Sequence, residues 1–187
     1  MGGIMSIILQ GSTSGSVTLQ EPAVAGTTVL TLPAVSGTVL TTTSPKAGNV
    51  IQVVYGSTTT QVEASFASAT DLGLSASITP SSSSNKILVL VSANGLGARS
   101  GTYWDGYLVR ASTNIGAFGN YLGSQLDGAG WWGASLCILD SPATTSSTTY
   151  KLQGIRRAGS TNCVFNVSTG TAGTGTISTI TLLEIAS

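Results

Sequence analysis

Short runs of Thr, Val and Leu recur along this chain, and glycine or proline interrupts them before a helix could form. In residues 16–19 and 28–32 apolar side chains alternate with polar ones, which is the period of a half-buried strand. No long segment shows the 3.6-residue apolar period of a helix. The β-branched residues and the prolines also disfavour helix. The sequence therefore predicts an all-β fold.

The N-terminal segment, residues 1–45, contains an internal repeat. Residues 22–27, P-A-V-A-G-T, return eleven positions later as P-A-V-S-G-T. Each repeat supplies one short strand with a thin apolar face, and three such strands cannot bury a core by themselves. Copies of the same chain wound about a common axis would bury these faces, so we expect a β-repeat stalk. The side chains expected to face neighbouring chains are Leu19, Leu30 and Leu32.

The remaining residues, 46–187, predict a separate β-sandwich head that follows a linker at residues 41–45. Eight segments have strand-like composition and are separated by turn-rich loops. They are residues 50–55, 61–66, 87–93, 103–110, 131–139, 148–156, 163–168 and 177–185. Residues 111–130, rich in glycine and asparagine, are expected to form a loop. Eight strands in a segment of this length indicate an antiparallel sandwich of jelly-roll size.

One predicted strand, residues 87–91, is apolar on both of its faces. One face of an antiparallel sandwich normally meets water, so such a strand needs a second cover. A neighbouring subunit would supply that cover, and burial of each Leu or Val side chain is worth about 1.5–3 kcal/mol. We therefore expect Ile87, Val89 and Val91 to lie in a subunit interface.

Charge is scarce in this chain: seven Lys or Arg and seven Asp or Glu give a formal net charge of zero. Seven cations can neutralise few phosphates, so we expect no nucleic-acid partner. Without histidine there is no Ser-His-Asp or Cys-His arrangement and no His-ligated metal. No apolar run reaches the roughly 20 residues of a membrane span, and the N-terminus lacks the basic region of a secretory signal. The sequence predicts no catalytic residue, metal, cofactor or membrane insertion.

Aromatic residues cluster in the middle of the head. Exposed aromatic rings contact sugars or receptor surfaces, and Tyr and Trp anchor protein interfaces. The alternative is that these rings fill the sandwich core and the contacts between subunits. The candidate receptor-contact residues are Trp104, Asn114, Phe118, Tyr121, Asp127 and Trp131.

Two acidic residues, Asp105 and Asp127, flank this aromatic region. No two acids of the chain lie close together in sequence, as an acid/base pair might, and solvated carboxylates are the simpler interpretation. Arg156 and Arg157 are adjacent, so in a strand they face opposite sides. An exposed strand end explains both, and an ion pair with Asp105 or Asp140 remains an alternative.

The two cysteines, Cys137 and Cys163, fall in predicted strands beside apolar neighbours. A free cysteine in that position behaves as a small hydrophobic residue, so buried thiols are expected. A disulfide would require the two strands to be adjacent. In residues 163–168, Cys163, Phe165 and Val167 are expected to face inwards and the residues between them mostly outwards.

The motifs G-S-V-T-L, P-A-V-A-G-T, L-T-L-P and G-T-V follow one another in residues 15–39. This order resembles the N-terminal region of many tailed-bacteriophage fibre-like and virion surface proteins, over about residues 11–43. In strand number and in its apolar last strand, the C-terminal part resembles the trimeric jelly-roll knobs of fibre tips. Those knobs are compared with tumour-necrosis-factor-like domains. The resemblance implies a homotrimer with reduced cysteines, assembled in a bacterial cytoplasm and displayed on the virion surface.

Two functions are compatible with this resemblance. In a tail fibre or spike, the head would bind a host receptor or glycan, and the N-terminal segment would dock on other virion proteins. A capsid decoration protein, or a head fibre at three-fold positions, is the alternative that the short stalk favours. A polysaccharide depolymerase is disfavoured, because seven acids and 187 residues are few for that work. The candidate virion-attachment residues are Ile4, Ile7, Ile8 and Leu9.

Overall fold

The computed structural model describes residues 7–20, 24, 26–27, 29, 31, 34–37, 45–98, 101–123, 132–167 and 176–187. The chain forms two compact units, Met1–Val39 and Leu40–Ser187. All regular structure in the described residues is β-strand, which confirms the predicted all-β class. The strands are β1 (Ile7–Gln10), β2 (Ser16–Leu19), β3 (Val50–Thr58), β4 (Val62–Ala64), β5 (Thr70–Ile78), β6 (Lys86–Ala98), β7 (Tyr103–Arg110), β8 (Thr113–Gly123), β9 (Trp132–Asp140), β10 (Thr148–Ala158), β11 (Cys163–Phe165) and β12 (Ser178–Ile185).

In the N-terminal unit, β1 and β2 form an antiparallel hairpin in which Ile7 lies opposite Leu19. Gly15 adopts a left-handed backbone at the turn, with φ of 79°. Gly11 N donates a hydrogen bond to the carbonyl oxygen of Gly15 at 2.9 Å. The strand predicted at residues 16–19 is confirmed as β2, whereas the runs at residues 28–32 and 38–41 lie mostly outside the described residues.

The C-terminal unit contains two antiparallel sheets. The four-stranded sheet has the order β5-β10-β7-β8, and the six-stranded sheet has the order β3-β12-β6-β11-β4, with β9 also paired to β6. Every second residue of β5 and β12 is buried, and buried side chains from both sheets form one hydrophobic cluster. The predicted β-sandwich character of this unit is therefore present.

Two strands of the C-terminal unit, β5 and β8, are absent from the sequence prediction. β5 buries Leu72, Leu74 and Ile78 on one face and exposes Asp71 and small residues on the other. The expected loop at residues 111–130 is wrong over its first half, because β8 pairs with β7 there. Glycine suits β8 because neighbouring side chains occupy the space that a Cβ would need: a Cβ on Gly116 would lie 2.9 Å from Ile138.

Three aromatic rings fill the core beside a pair of glycines. Gly106 of β7 lies directly opposite Gly154 of β10. A Cβ on Gly106 would overlap the Phe118 ring, and one on Gly154 would lie 2.6 Å from the Phe66 ring. Trp104 contacts both rings edge-on, at centroid distances of 5.2 Å to Phe66 and 6.3 Å to Phe118. The glycine pair therefore makes the space in which this aromatic cluster packs.

Candidate binding surfaces

Two of the candidate receptor-contact residues are core residues. Trp104 is 0% exposed, and its Nε1 donates to the Gly97 carbonyl at 2.7 Å. Phe118 is 5% exposed and lies over Gly106. These side chains pack inside the sandwich instead of contacting a receptor, because β7 and β8 turn them towards the opposite sheet.

The other candidates divide between exposed and undescribed positions. Tyr121 is 68% exposed near the end of β8. Asn114 is exposed at the start of that strand, where its Oδ1 accepts a hydrogen bond from Gly116 N at 3.1 Å. Asp127 and Trp131 lie outside the described residues.

Asp105, on β7, organises a polar cluster on the outer side of the four-stranded sheet. Its carboxyl group is 2% exposed. One oxygen accepts hydrogen bonds from the Tyr107 hydroxyl at 2.9 Å and from Arg157 Nε. The other oxygen accepts from Tyr121 N at 3.0 Å. Of the two acidic partners that the sequence left open for the arginine pair, Asp105 is the one used, by Arg157.

β-Bulges on both sides of β7 deliver the partners of Asp105. On β10 the register shifts between Arg156 and Ala158, so Arg157 is the extra residue. On β8, Leu122 pairs with Trp104 and Gly119 pairs with Gly106. Two residues of β8, at positions 120 and 121, therefore lie opposite the single residue Asp105. A bulge bends its strand and re-aims a side chain. Two bulges therefore converge on one buried carboxylate.

The charge states in this cluster follow from its hydrogen bonds. Burial alone would raise the pKa of Asp105, but donors from Tyr121, Arg157 and Tyr107 outweigh burial and hold the pKa below its usual range. Burial and the neighbouring carboxylate raise the pKa of Tyr107, and the hydrogen bond to Asp105 raises the pKa of Arg157. At neutral pH the cluster therefore contains a carboxylate, a guanidinium and a neutral phenol.

Tyrosine rings surround this ion pair. Tyr103 and Tyr107 lie two residues to either side of Asp105 on β7, so all three share one face of the strand. The Tyr103 and Tyr121 rings lie 6.0 Å apart at 52°. Tyr121 has a φ of 53°, a conformation that costs a non-glycine residue energy.

The outer face of the six-stranded sheet is apolar and uncharged over two adjacent rows. In the first row, Val53, Leu183, Leu88 and Leu139 lie side by side across four strands. In the second row, Tyr55, Thr181, Leu90 and Cys137 do the same. Leu139 is 56% exposed and Leu90 39%. We call these eight residues the outer apolar face.

The candidate interface residues of β6 lie on the opposite side of this sheet. Ile87, Val89 and Val91 are buried in the core of their own chain, so they are not available to a neighbour. Both faces of the strand are apolar, as expected, but Leu88 and Leu90 form the accessible one. Leu19 is exposed on β2, whereas Leu30 and Leu32 lie outside the described residues.

The β1–β2 hairpin exposes apolar side chains on both of its strands. Ile7, Ile8 and Leu9 of β1 are all more than half exposed, as are Val17 and Leu19 of β2. Three of the four candidate attachment residues are therefore accessible. Ile4 lies outside the described residues.

A second buried carboxylate, Glu184, was not singled out from the sequence. It is fully buried and accepts hydrogen bonds from Asn85 Nδ2 at 2.6 Å and Gln52 Nε2 at 2.5 Å. Ser81 donates to it through its backbone N at 2.7 Å and its hydroxyl at 2.8 Å. The alternation of residues in β12 could have predicted the burial of Glu184, because this residue shares the inward face of Ile180 and Leu182. Four donors of the same chain occupy this carboxylate, so its role is structural.

Arg110 and Asp140 form an ion pair between the two sheets. Arg110 Nη1 lies 2.7 Å from both carboxylate oxygens of Asp140. The buried Tyr150 hydroxyl donates to the same carboxylate at 2.7 Å. Burial and the hydrogen bond to Asp140 raise the pKa of Tyr150. Asp140 therefore pairs with Arg110, and not with the Arg156–Arg157 pair.

The two cysteines are free and differ in exposure. Cys163 is buried, as predicted, and burial raises its pKa to about 11. Cys137 is exposed on β9, so the expectation of a buried thiol is wrong for it. The outward exposure expected for Val164 and Asn166 is also wrong: both residues are buried, and Asn166 donates to Thr58 O at 3.0 Å.

Among the residues that the structure describes, no helix is long and apolar enough to cross a membrane. The same residues contain no group of three or more His, Cys, Asp or Glu side chains that could hold a metal ion. No protein-family model matches this sequence, and a search of curated proteins found no significant match.

Proposed function

We propose that this chain is a non-enzymatic structural protein of a bacteriophage virion, a trimeric fibre or spike with a host-attachment head. The observation that carries the proposal is the outer apolar face, an uncharged and partly exposed surface of the six-stranded sheet. The order of motifs in residues 15–39, with its resemblance to phage fibre-like proteins, supplies the virion context.

The strand order supports a jelly-roll head. Omitting the short strands β4 and β11, the sheets read β3-β12-β6-β9 and β5-β10-β7-β8. The first and last strands of this set are neighbours, and the second strand pairs with the second to last. This nesting is what two interlocked Greek keys produce, and eight strands in that arrangement define a jelly roll.

The composition of the outer apolar face supports association with copies of the same chain. It contains no ionisable side chain apart from the thiol of Cys137 and the phenol of Tyr55, so identical surfaces would meet without like-charge repulsion. Each completely buried Leu or Val contributes about 1.5–3 kcal/mol. Exposed apolar patches of this kind mark interaction surfaces.

A capsid location is the second candidate, and the N-terminal unit favours it. The apolar side chains of β1 and β2 are exposed in a hairpin of two four-residue strands. A short apolar hairpin suits a clamp on a shell at a three-fold position. Copy number separates the two locations: quantitative mass spectrometry should find few copies per particle for a tail protein and hundreds for a capsid protein.

Light scattering on a sizing column tests the trimer. We expect the purified protein to have the mass of three chains. Leu90→Lys together with Leu139→Lys should give monomers, because each lysine would bring three like charges into the interface. Ser75→Lys, on the exposed side of the other sheet, is the matched control and should remain trimeric. A folded wild-type monomer would overturn both the trimer and the shared-axis stalk.

Cys137 reports on the same surface by an independent route. If the outer apolar face is covered, Ellman's reagent should react with neither cysteine of the native protein, since Cys163 is in the core. In the Leu90→Lys, Leu139→Lys variant, one thiol per chain should react. Both thiols should react after denaturation. Rapid reaction of one thiol in the wild-type protein would place the interface elsewhere.

A further inference from the structure

We propose that the Tyr103, Tyr107, Tyr121 and Arg157 side chains, held in place by Asp105, form a saccharide-binding site. This inference rests on the proposed host-attachment function and names the ligand class and the surface. Asp105 is a positioning residue, because its carboxyl group is buried and both oxygens are occupied by groups of the same chain. The rings and the guanidinium provide the contacts.

The backbone around Asp105 is irregular and includes a strained residue, although a β-sandwich requires neither feature. The β10 bulge lies opposite Tyr103 and Trp104, and the β8 bulge lies opposite Asp105. Tyr121 is held in the left-handed region with its ring exposed. A flat, regular sheet would keep these backbone hydrogen bonds without strain. Bulges and strained residues concentrate at binding sites, where they fix a side chain in a required direction.

The groups left over for a ligand match a sugar. Arg157 uses Nε for Asp105 and one Nη2 hydrogen for Tyr107, and its Nη1 has no partner among the described residues. The side chain is half exposed. A guanidinium edge with several donors can bind two neighbouring hydroxyl oxygens, or a carboxylate of an acidic sugar. The Tyr121 ring, with Tyr103 beside it, provides an apolar face for the ring of a pyranose.

A protein partner fits this surface less well. The centre of a protein interface is depleted of charge, and a stable interface buries about 800 Å² on each partner. Here an ion pair occupies the centre. The outer side of β10 and β5 beside it carries a second ion pair, between Lys151 and Asp71 at 2.9 Å, and one half-buried apolar residue, Ile155, opposite Asp105. The tyrosine rings and Ile155 supply the large apolar side chains at this place, an area small for a protein interface.

The test is an array printed with bacterial surface polysaccharides, probed with the full-length protein. We expect the wild-type protein to bind a subset of them. Tyr121→Asn removes the ring but keeps a residue that tolerates a left-handed backbone, and Arg157→Ala removes the free donors. Each substitution should weaken binding by about tenfold or more, the effect of losing one charge-assisted hydrogen bond or one stacking contact. Lys151→Ala, on the same face but outside the cluster, should bind like the wild type.

Other outcomes separate this inference from the proposed function. Absence of binding to every polysaccharide, or equal binding by wild type and Tyr121→Asn, would overturn the saccharide site. Loss of cell binding after protease treatment, with no loss after periodate oxidation of surface sugars, would assign the cluster to a protein receptor instead. The variants should still form trimers and incorporate into particles. Failure of the wild-type protein to do either would overturn the proposed function, whatever the array shows.

Discussion

Replacement of Trp104 with alanine is expected to lower the free energy of unfolding by about 4 kcal/mol. The side chain is fully buried and packs edge-on against Phe66 and Phe118. The glycines beneath those rings cannot fill the vacated space, so most of the volume would remain a cavity. For a chain of this length the melting temperature should fall by roughly 8–16 °C, measured by circular dichroism at fixed protein concentration.

Two control variants separate packing from recognition. Trp104→Phe keeps an aromatic ring but leaves the buried Gly97 carbonyl without its donor, which should cost about 1–3 kcal/mol. Tyr121→Asn removes an exposed ring and should change stability by less than about 0.5 kcal/mol. A Trp104→Ala protein that melts like the wild type but no longer binds host cells would contradict the core assignment and restore Trp104 as a receptor contact.

Strand periodicity predicted most of the sandwich because one face of each strand is buried. The strand at residues 103–110 was predicted with the observed bounds of β7, and most others within three residues. β8 was missed because its glycines resemble a loop, and only the side chains of Leu122 and Ile138 above them explain why glycine is suitable there. Such tertiary packing is invisible in a single sequence.

The Asp105 cluster could also be predicted only in part from the sequence. The sequence identified Tyr121 and Asp105 separately and kept an Asp105–arginine pair as an alternative. Two bulges bring them together, and a bulge depends on register between strands that are distant in the chain. In β6 the alternation was read correctly, but which face meets the core depends on the position of the opposite sheet. The inward set, Ile87, Val89 and Val91, was therefore predicted to be accessible to a neighbour, whereas Leu88 and Leu90 are the residues on the outer face.

Glu184→Gln is expected to lower the free energy of unfolding at pH 7 by about 3 kcal/mol. The carboxylate accepts four hydrogen bonds in a fully buried position. Hydrogen bonds to a charged acceptor are worth about 1.5–3 kcal/mol each, and the amide would turn an NH2 group, with two N–H donors, towards groups that are themselves donors. Glu63→Gln, at an exposed carboxyl group, is the matched control and should change stability by less than about 0.5 kcal/mol.

The pH dependence gives this prediction a distinctive form. Burial alone would raise the pKa of Glu184, but donors from Asn85, Gln52 and Ser81 outweigh burial and hold it below the ordinary value of 4.5. Because the folded pKa lies below the unfolded one, the carboxylate stabilises the fold fully above about pH 4.5. That stabilisation is lost as the pH falls through the folded value. Urea unfolding should therefore show a large difference between wild type and Glu184→Gln at pH 7 that narrows below pH 4.5. A difference that stayed constant down to pH 2 would mean that size and shape, and not the charge of Glu184, stabilise this end of the sandwich.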